Sequence, residues 1–144
     1  MKTAREIISD FVTLIEASGL PAQIGGGIYP AGQRPRNSTA EDVTVSLSTV
    51  DYDDFMPQGV ITLNVFIQGK AQGETRTVRA DDARIAEVER ILQNWIDEHK
   101  GRFGFYLIWQ KDPIGSDVVP SPTVQFFAYL RLTFHYLQSL NNNG

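Results

Sequence analysis

The sequence of 144 residues contains no cysteine, which excludes disulfide bonds, thiolate chemistry and cysteine-based zinc sites. Histidine is nearly as scarce, since only His99 and His135 are present. The chain also lacks an excess of cations, because 13 lysines and arginines stand against 17 acidic residues and give a net charge of −4. This balance argues against tight, general binding to DNA or to an anionic membrane surface.

Long apolar runs are missing as well. Glu6, Asp10 and Glu16 interrupt the apolar residues near the N-terminus, so we expect neither a signal peptide nor a membrane span there. A hydrophobic content of 42% and a charged content of 21% are typical of a folded soluble protein. We therefore expect one cytoplasmic domain over residues 1–144, with 141–144 as a frayed tail.

The spacing of apolar residues predicts the secondary structure. A helical period marks residues 7–15, ending at Gly19, and again residues 80–99. Strict alternation predicts strands over 43–48, 60–67, 105–109 and 124–137, with 28–29 as a short strand at best. Residues 70–79 and the proline-containing segment 111–122 are expected to be loops.

The resulting order, α-β-β-β-α-β-β, indicates an α+β fold with a mainly antiparallel sheet and two main helices on one face. One hydrophobic core should then lie between the helices and the sheet. The residues expected in it are Val43, Val45, Leu47, Leu63, Val65, Ile85, Val88, Leu92, Trp95, Leu130 and Leu132.

Glycine-rich segments do not match the known phosphate-binding motifs. Gly25, Gly26 and Gly27 run into extended residues and not into a helix, which favours turn or bulge glycines over a dinucleotide fingerprint. Gly69 and Lys70 resemble the end of a P-loop, but alanine follows where the motif requires serine or threonine. We therefore predict no nucleotide site in either place.

The sequence also fails to match the known metal-binding and catalytic motifs. An aspartate-rich segment begins like a calcium loop, but Phe55 and Met56 stand where an oxygen ligand and a glycine belong. The two histidines have no metal-ligand spacing and are expected to be surface or half-buried side chains. We therefore predict that the protein is not an enzyme and that it uses no cofactor or metal.

Two features remain for interpretation. The first is the turn of Arg34, Pro35, Arg36, Asn37 and Ser38, which stands directly before a strand. Its proline makes the turn stiff, and arginine guanidinium groups bind carboxylates through paired donors. The turn either docks onto a partner or is an ordinary solvent-exposed turn.

The second feature is the outer face of the last strand, where Phe127, Tyr129 and His135 accompany Arg131 and Thr133. A monomer rarely displays large aromatic side chains on a polar face. Three explanations stay open: a helix covers this face, another subunit covers it, or part of it belongs to the core.

The chain resembles the tail-terminator and tail-completion proteins of long-tailed phages. The likeness is carried by the pattern G-G-x-Y-x-x-G-x-R-P-x-N-S-x-x-E-D-V-x-V over residues 26–45. It extends over most of the chain: a leading helix, a hairpin, the 80–99 helix and two closing strands. The resemblance implies a structural virion protein without catalysis, located in the tail or neck and made in the host cytoplasm. It also implies a ring, expected to be a hexamer, that caps the tail tube and joins it to the head.

This resemblance implies contacts with identical subunits, with the tail tube protein and with neck proteins, while DNA only passes through. A ring needs two different complementary surfaces on each subunit. The basic turn is one candidate surface, meeting the acidic segment of a neighbour, and the polar loop 70–79 is a candidate contact with the tube. The candidate interface residues are Arg34, Pro35, Arg36, Asn37, Ser38, Asp51, Asp53, Asp54, Lys70, Arg76 and Arg79. Another neck component, or less favourably a small-ligand-binding or enzymatic α+β domain, remains an alternative.

Overall fold

A computed structural model describes residues 2–51, 58–71, 78–120 and 123–137. The described chain contains two α-helices, a short 3₁₀ turn at Leu20–Ala22 and nine strands. In chain order these helices and strands are α1 (Ala4–Ala17), β1 (Ile28–Pro30), β2 (Val43–Asp51), β3 (Gln58–Ile67), β4 (Lys70–Ala71), β5 (Val78–Arg79), α2 (Asp82–His99), β6 (Gly101–Phe103), β7 (Tyr106–Gln110), β8 (Gly115–Val119) and β9 (Gln125–Tyr136).

Helix α1 is closed at both ends by local interactions. Thr3 accepts a hydrogen bond from the Glu6 N–H, and the Glu6 carboxylate accepts one from the Thr3 N–H, which together form a capping box. Ser18 caps the C-terminus, and Gly19 follows with a left-handed φ of 89°. The predicted helix end at Gly19 is therefore confirmed.

Helix α2 begins at the N-cap Asp81, whose carboxylate accepts a hydrogen bond from the Arg84 N–H. Its apolar stripe is buried, and the Trp95 indole N–H donates to the Ser18 hydroxyl at 2.9 Å, which joins the two helices. The opposite side of α2 is polar. Within the described residues, neither helix is long and apolar enough to cross a membrane.

Strand β9 organises the main sheet. It pairs over ten of its twelve residues with β3 on one side, and with β7 and β8 in succession on the other. The sheet runs in the order β1-β2-β3-β9-β7-β6, and β8 extends it beside the first half of β9. All pairs are antiparallel except that of β1 with β2, so the predicted α+β class with a mainly antiparallel sheet is confirmed.

Both helices pack on the same face of this sheet, as predicted. Alternate residues of β2, β3 and β9 point towards them and form one continuous core. Ten of the eleven residues expected in the core are buried, and Leu47 is partly buried against it. At the far end, the buried Tyr106 hydroxyl donates to Asp10 of α1 at 2.6 Å. Burial, followed by this bond, raises the pKa of Tyr106 above its ordinary value.

The loop prediction for residues 111–122 is wrong at its centre, because residues 115–119 form β8. Gly115, Ser116 and Asp117 are poor strand formers, and pairing with β9 holds them extended. The short strand β6 was not predicted either. The polar segment 70–79 is also not loop throughout, since its ends pair as β4 and β5.

We expect Leu92→Ala to lower the free energy of unfolding by about 2–5 kcal/mol, because the Leu92 side chain is fully buried between α2 and the sheet. Denaturant unfolding monitored by circular dichroism measures the change. The exposed Asn94→Ala on the same helix is the matched control and should alter stability by less than about 0.5 kcal/mol. Equal effects for the two variants would contradict the helix packing described here.

Candidate functional site

The carboxylate of Asp42 is bound by three groups of the segment 26–45. Its Oδ1 accepts a hydrogen bond from the Gly27 N–H at 3.0 Å. Its Oδ2 accepts one from Arg34 Nε at 3.0 Å and one from the Ser38 hydroxyl. Because Asp42 is only 2% exposed, these bonds are shielded from water. We refer to Gly27, Arg34, Ser38 and Asp42 as the Asp42 clasp.

Three of the five N–H groups of the Arg34 guanidinium bind inside the chain. Besides the carboxylate, it donates to the backbone carbonyls of Ser38 and Ala40 at 3.3 and 3.2 Å. Its carbon lies 4.3 Å from the centre of the Phe66 ring, a cation–π contact. The carboxylate that Arg34 binds belongs to the same chain, so Arg34 is not the free donor that the interface hypothesis assumed.

The backbone at Gly26 lies close to the backbone of Glu41 and Asp42, next to the Asp42 clasp. A side chain at Gly26 would collide with the backbone of Glu41 and Asp42, so only glycine fits. The neighbouring Glu41 carboxylate accepts from Arg84 Nε of α2 at 2.7 Å, which ties the clasp to the second helix. The hydrogen bonds to Glu41 raise the pKa of Arg84. Much of the predicted motif therefore has a folding role.

The middle of the basic turn faces solvent. Pro35, Arg36 and Asn37 are exposed, and Arg36 makes no ion pair or hydrogen bond with the part of the chain that the structure describes. Ser38 bonds locally, as expected, since its hydroxyl also accepts from the Ala40 N–H at 3.2 Å. The interface hypothesis for this turn therefore concerns its exposed tip, which consists of Pro35, Arg36 and Asn37. Binding of a partner by this tip stays a prediction.

The other candidate interface residues are spread over the surface. Lys70 lies 3.6 Å from Asp81 in an exposed ion pair, and Arg79 is exposed beside it on β5. Asp51 is the last residue of β2. Asp53, Asp54 and Arg76 lie outside the described residues, so the proposed contact between the turn and the acidic segment is untested.

The sheet face opposite the helices carries the second predicted feature. We call it the outer face. Cross-strand register places Phe66 beside Phe127, with ring centres 5.9 Å apart, and Trp109 beside Thr133. The His135 ring lies 5.1 Å from the Trp109 ring. Both described helices pack on the other face, so neither covers these aromatic side chains.

The outer face is aromatic on one side and hydroxyl-rich on the other. Its aromatic members lie on β3, β7 and β9, whereas β2 and β3 contribute hydroxyl side chains: Thr44, Ser46, Ser48 and Thr62. Trp109 is 41% exposed, and Phe105, in the tight turn before β7, is 60% exposed. Sequence reasoning missed Trp109 and Phe66, although strand alternation together with the register would have placed them here.

Both histidines are half-buried, as predicted, and each lies against an aromatic ring. His99 lies 5.0 Å from Trp95 on the helix side, and His135 lies on the outer face. Across the described residues no three histidine, aspartate or glutamate side chains are grouped to hold a metal ion. The sequence matches no protein-family model, and no curated protein is significantly similar to it.

We expect Arg34→Ala to destabilise the protein by about 3 kcal/mol or more, because it leaves the buried Asp42 carboxylate without its cation. Arg36→Ala, two residues away and exposed, should change stability by less than about 0.5 kcal/mol. Thermal and denaturant unfolding of the two variants measure the difference. Similar melting of both would show that the clasp does not hold the fold.

The clasp also predicts a pH dependence. Burial alone would raise the pKa of Asp42, but the hydrogen bonds from Ser38, Gly27 and Arg34 together hold it below its ordinary value of 3.8. The stabilisation from Asp42 is therefore complete above pH 3.8 and is lost as the pH falls through the lower, folded-state pKa. Asp42→Asn should be less stable at neutral pH and lose less stability on acidification. Unfolding measured from pH 2 to 7, with Asp117→Asn as the exposed control, tests this.

Proposed function

We propose that this protein is a structural assembly protein of a long-tailed phage, acting as a tail terminator that caps the tail tube as a ring and joins it to the head. The resemblance over residues 26–45 motivates the proposal. The observation that supports it most is the outer face, which carries Phe66, Trp109, Phe127 and Tyr129 along its length without a helix over them.

An aromatic sheet surface of this kind fits a protein that works by contact. Tryptophan, tyrosine, phenylalanine and arginine are the residues enriched in the cores of protein interfaces. Arg131, which lies 5.3 Å from the Tyr129 ring, adds the last of these types. A structural role in a virion requires contacts of this composition with identical subunits, with the tail tube and with neck proteins.

The net charge of −4 is compatible with DNA as passing cargo. A strongly cationic surface would retain DNA by releasing its counterions, which would oppose its passage through a channel. The exposed tip of Pro35, Arg36 and Asn37 offers a small, stiff cationic contact to a protein partner, which costs little conformational entropy on docking.

Two alternatives remain. Another component of the phage neck would need the same kind of contact surfaces but would bind the head and not the tail. A small-ligand-binding or enzymatic domain would need a concave site with convergent polar groups. The groove beside Phe66, of about 260 Å³, has Arg34 as its cation, and three of the five N–H groups of that guanidinium already bind inside the chain. This observation favours assembly over ligand binding.

We expect purified protein to restore infectious particles in an extract of infected cells that lack it. Order of addition distinguishes the candidates: incubation with tails, followed by washing and addition of heads, should restore particles, whereas incubation with heads should not. Restoration through heads alone would identify a different neck component, and no restoration by either order would contradict the proposed function.

Arg36→Ala should melt like the wild type and complete fewer tails in the same extract, because it removes the exposed cation of the turn. The matched control is Arg5→Ala, another exposed arginine, on α1. Normal completion by Arg36→Ala would make the tip of the turn an ordinary solvent-exposed loop.

A further inference from the structure

The outer face is close in area to one side of a standard protein interface. Six strands lie side by side, and β3 pairs with β9 over ten residues. With strands about 4.8 Å apart and a rise of about 3.3 Å per residue, the 42 residues of these six strands cover roughly 670 Å². A standard specific interface buries about 800 Å² on each partner. The outer face can therefore supply most of one side of such an interface.

The most prominent apolar groups of the outer face lie at its β7 end. Leu107 and Trp109 point outward from β7, and Phe105 lies in the turn that precedes it. Strand alternation places Lys111 on the same side, and Arg131 of β9 is 43% exposed nearby although it pairs with Asp112 at 2.7 Å. The Trp109 end of the outer face is thus apolar at its centre and mainly cationic at its rim.

A depression of about 610 Å³ lies on the opposite side of the same region, between α2 and the connection from β7 to β8. Ala86, Pro113 and Ile114 form its apolar part. Glu89 and Asp97 stand at its margin with Arg90 as the cation. Helix α2 as a whole carries five acidic and two basic side chains, a net charge of −3.

We propose that the outer face of one copy packs on the α2 face of the next copy, with Trp109 entering the depression beside Ala86. This inference rests on the proposed function, which requires identical subunits to touch one another. The cationic rim near Trp109 then meets the acidic side of α2, and the apolar groups of both surfaces leave water together. Opposite rim charges steer such an association and fix its register.

The placement of the two surfaces determines the kind of assembly. Because they lie on opposite sides of one subunit, a copy bound to the outer face leaves the α2 face of the pair open to another. Contacts of this heterologous type build a closed ring when the rotation between copies closes, and a filament when it does not. The two surfaces are therefore of the heterologous type that a ring of tail-terminator subunits requires.

Two variants test the contact from its two sides. Trp109→Asp places a charge in the outer face, and Ala86→Arg fills the depression and adds a cation to it. Each variant alone should sediment as a monomer at concentrations where the wild type assembles. An equal mixture should form a one-to-one dimer, because each variant keeps the surface that the other has lost. Sedimentation velocity and light scattering measure these masses.

Val124→Asp is the matched control, because Val124 is 42% exposed and lies before the opposite end of β9 from Trp109. It should assemble like the wild type, and circular dichroism should show that all three variants are folded. Assembly of Trp109→Asp alone, or a mixture of folded variants that stays monomeric, overturns the proposal. A wild type that remains monomeric at the highest concentration overturns it as well.

The extract experiment separates this inference from the proposed function. Normal assembly and tail completion by Trp109→Asp would leave a tail terminator that uses another surface. A monomeric wild type that binds a labelled single-stranded oligonucleotide, with at least tenfold weaker binding by Trp109→Asp, would show that the outer face stacks bases. That result replaces the self-contact with nucleic-acid binding.

Discussion

The buried carboxylate of Asp42 is the group on which the first half of the fold depends. It holds the Gly27 backbone, the Arg34 guanidinium and the Ser38 hydroxyl together. The backbone carbonyl of Asp42 also accepts a hydrogen bond from the Phe66 N–H of β3 at 2.9 Å. The adjacent Glu41 extends the same connection to α2. A charge removed from water is stable only with such partners, so the loop between β1 and β2 must close in one way.

The long helices and strands were predictable because their apolar patterns repeat over many residues. The stripe of α2 and the alternation of β3 and β9 each repeat often enough to specify a period and a buried face. The short strand β8 was not predictable, since Gly115, Ser116 and Asp117 carry no strand preference and become extended only through pairing with β9. Pairing over such a distance is a tertiary effect that local propensity does not contain.

The candidate site was also predictable only in part. The sequence identified the basic turn but not the partner of Arg34, because the carboxylate of Asp42 becomes buried only when the chain folds back past Gly26. It identified Phe127, Tyr129 and His135 on the last strand, but left open what covers them. Register then adds Trp109 and Phe66 to the same face, and the position of both helices removes the helix as a cover.

The Asp42 clasp and the outer face are subject to different physical constraints. A change in the clasp leaves a buried polar group without its partner, which destabilises the subunit whatever it binds. A change on the outer face matters only in combination with the surface that packs against it, so the two surfaces of an assembly are free to change together. The motif over residues 26–45 therefore mainly reflects what the fold requires. In the proposed contact, the partner is selected by the outer face around Trp109, where the subunit by itself leaves apolar surface exposed.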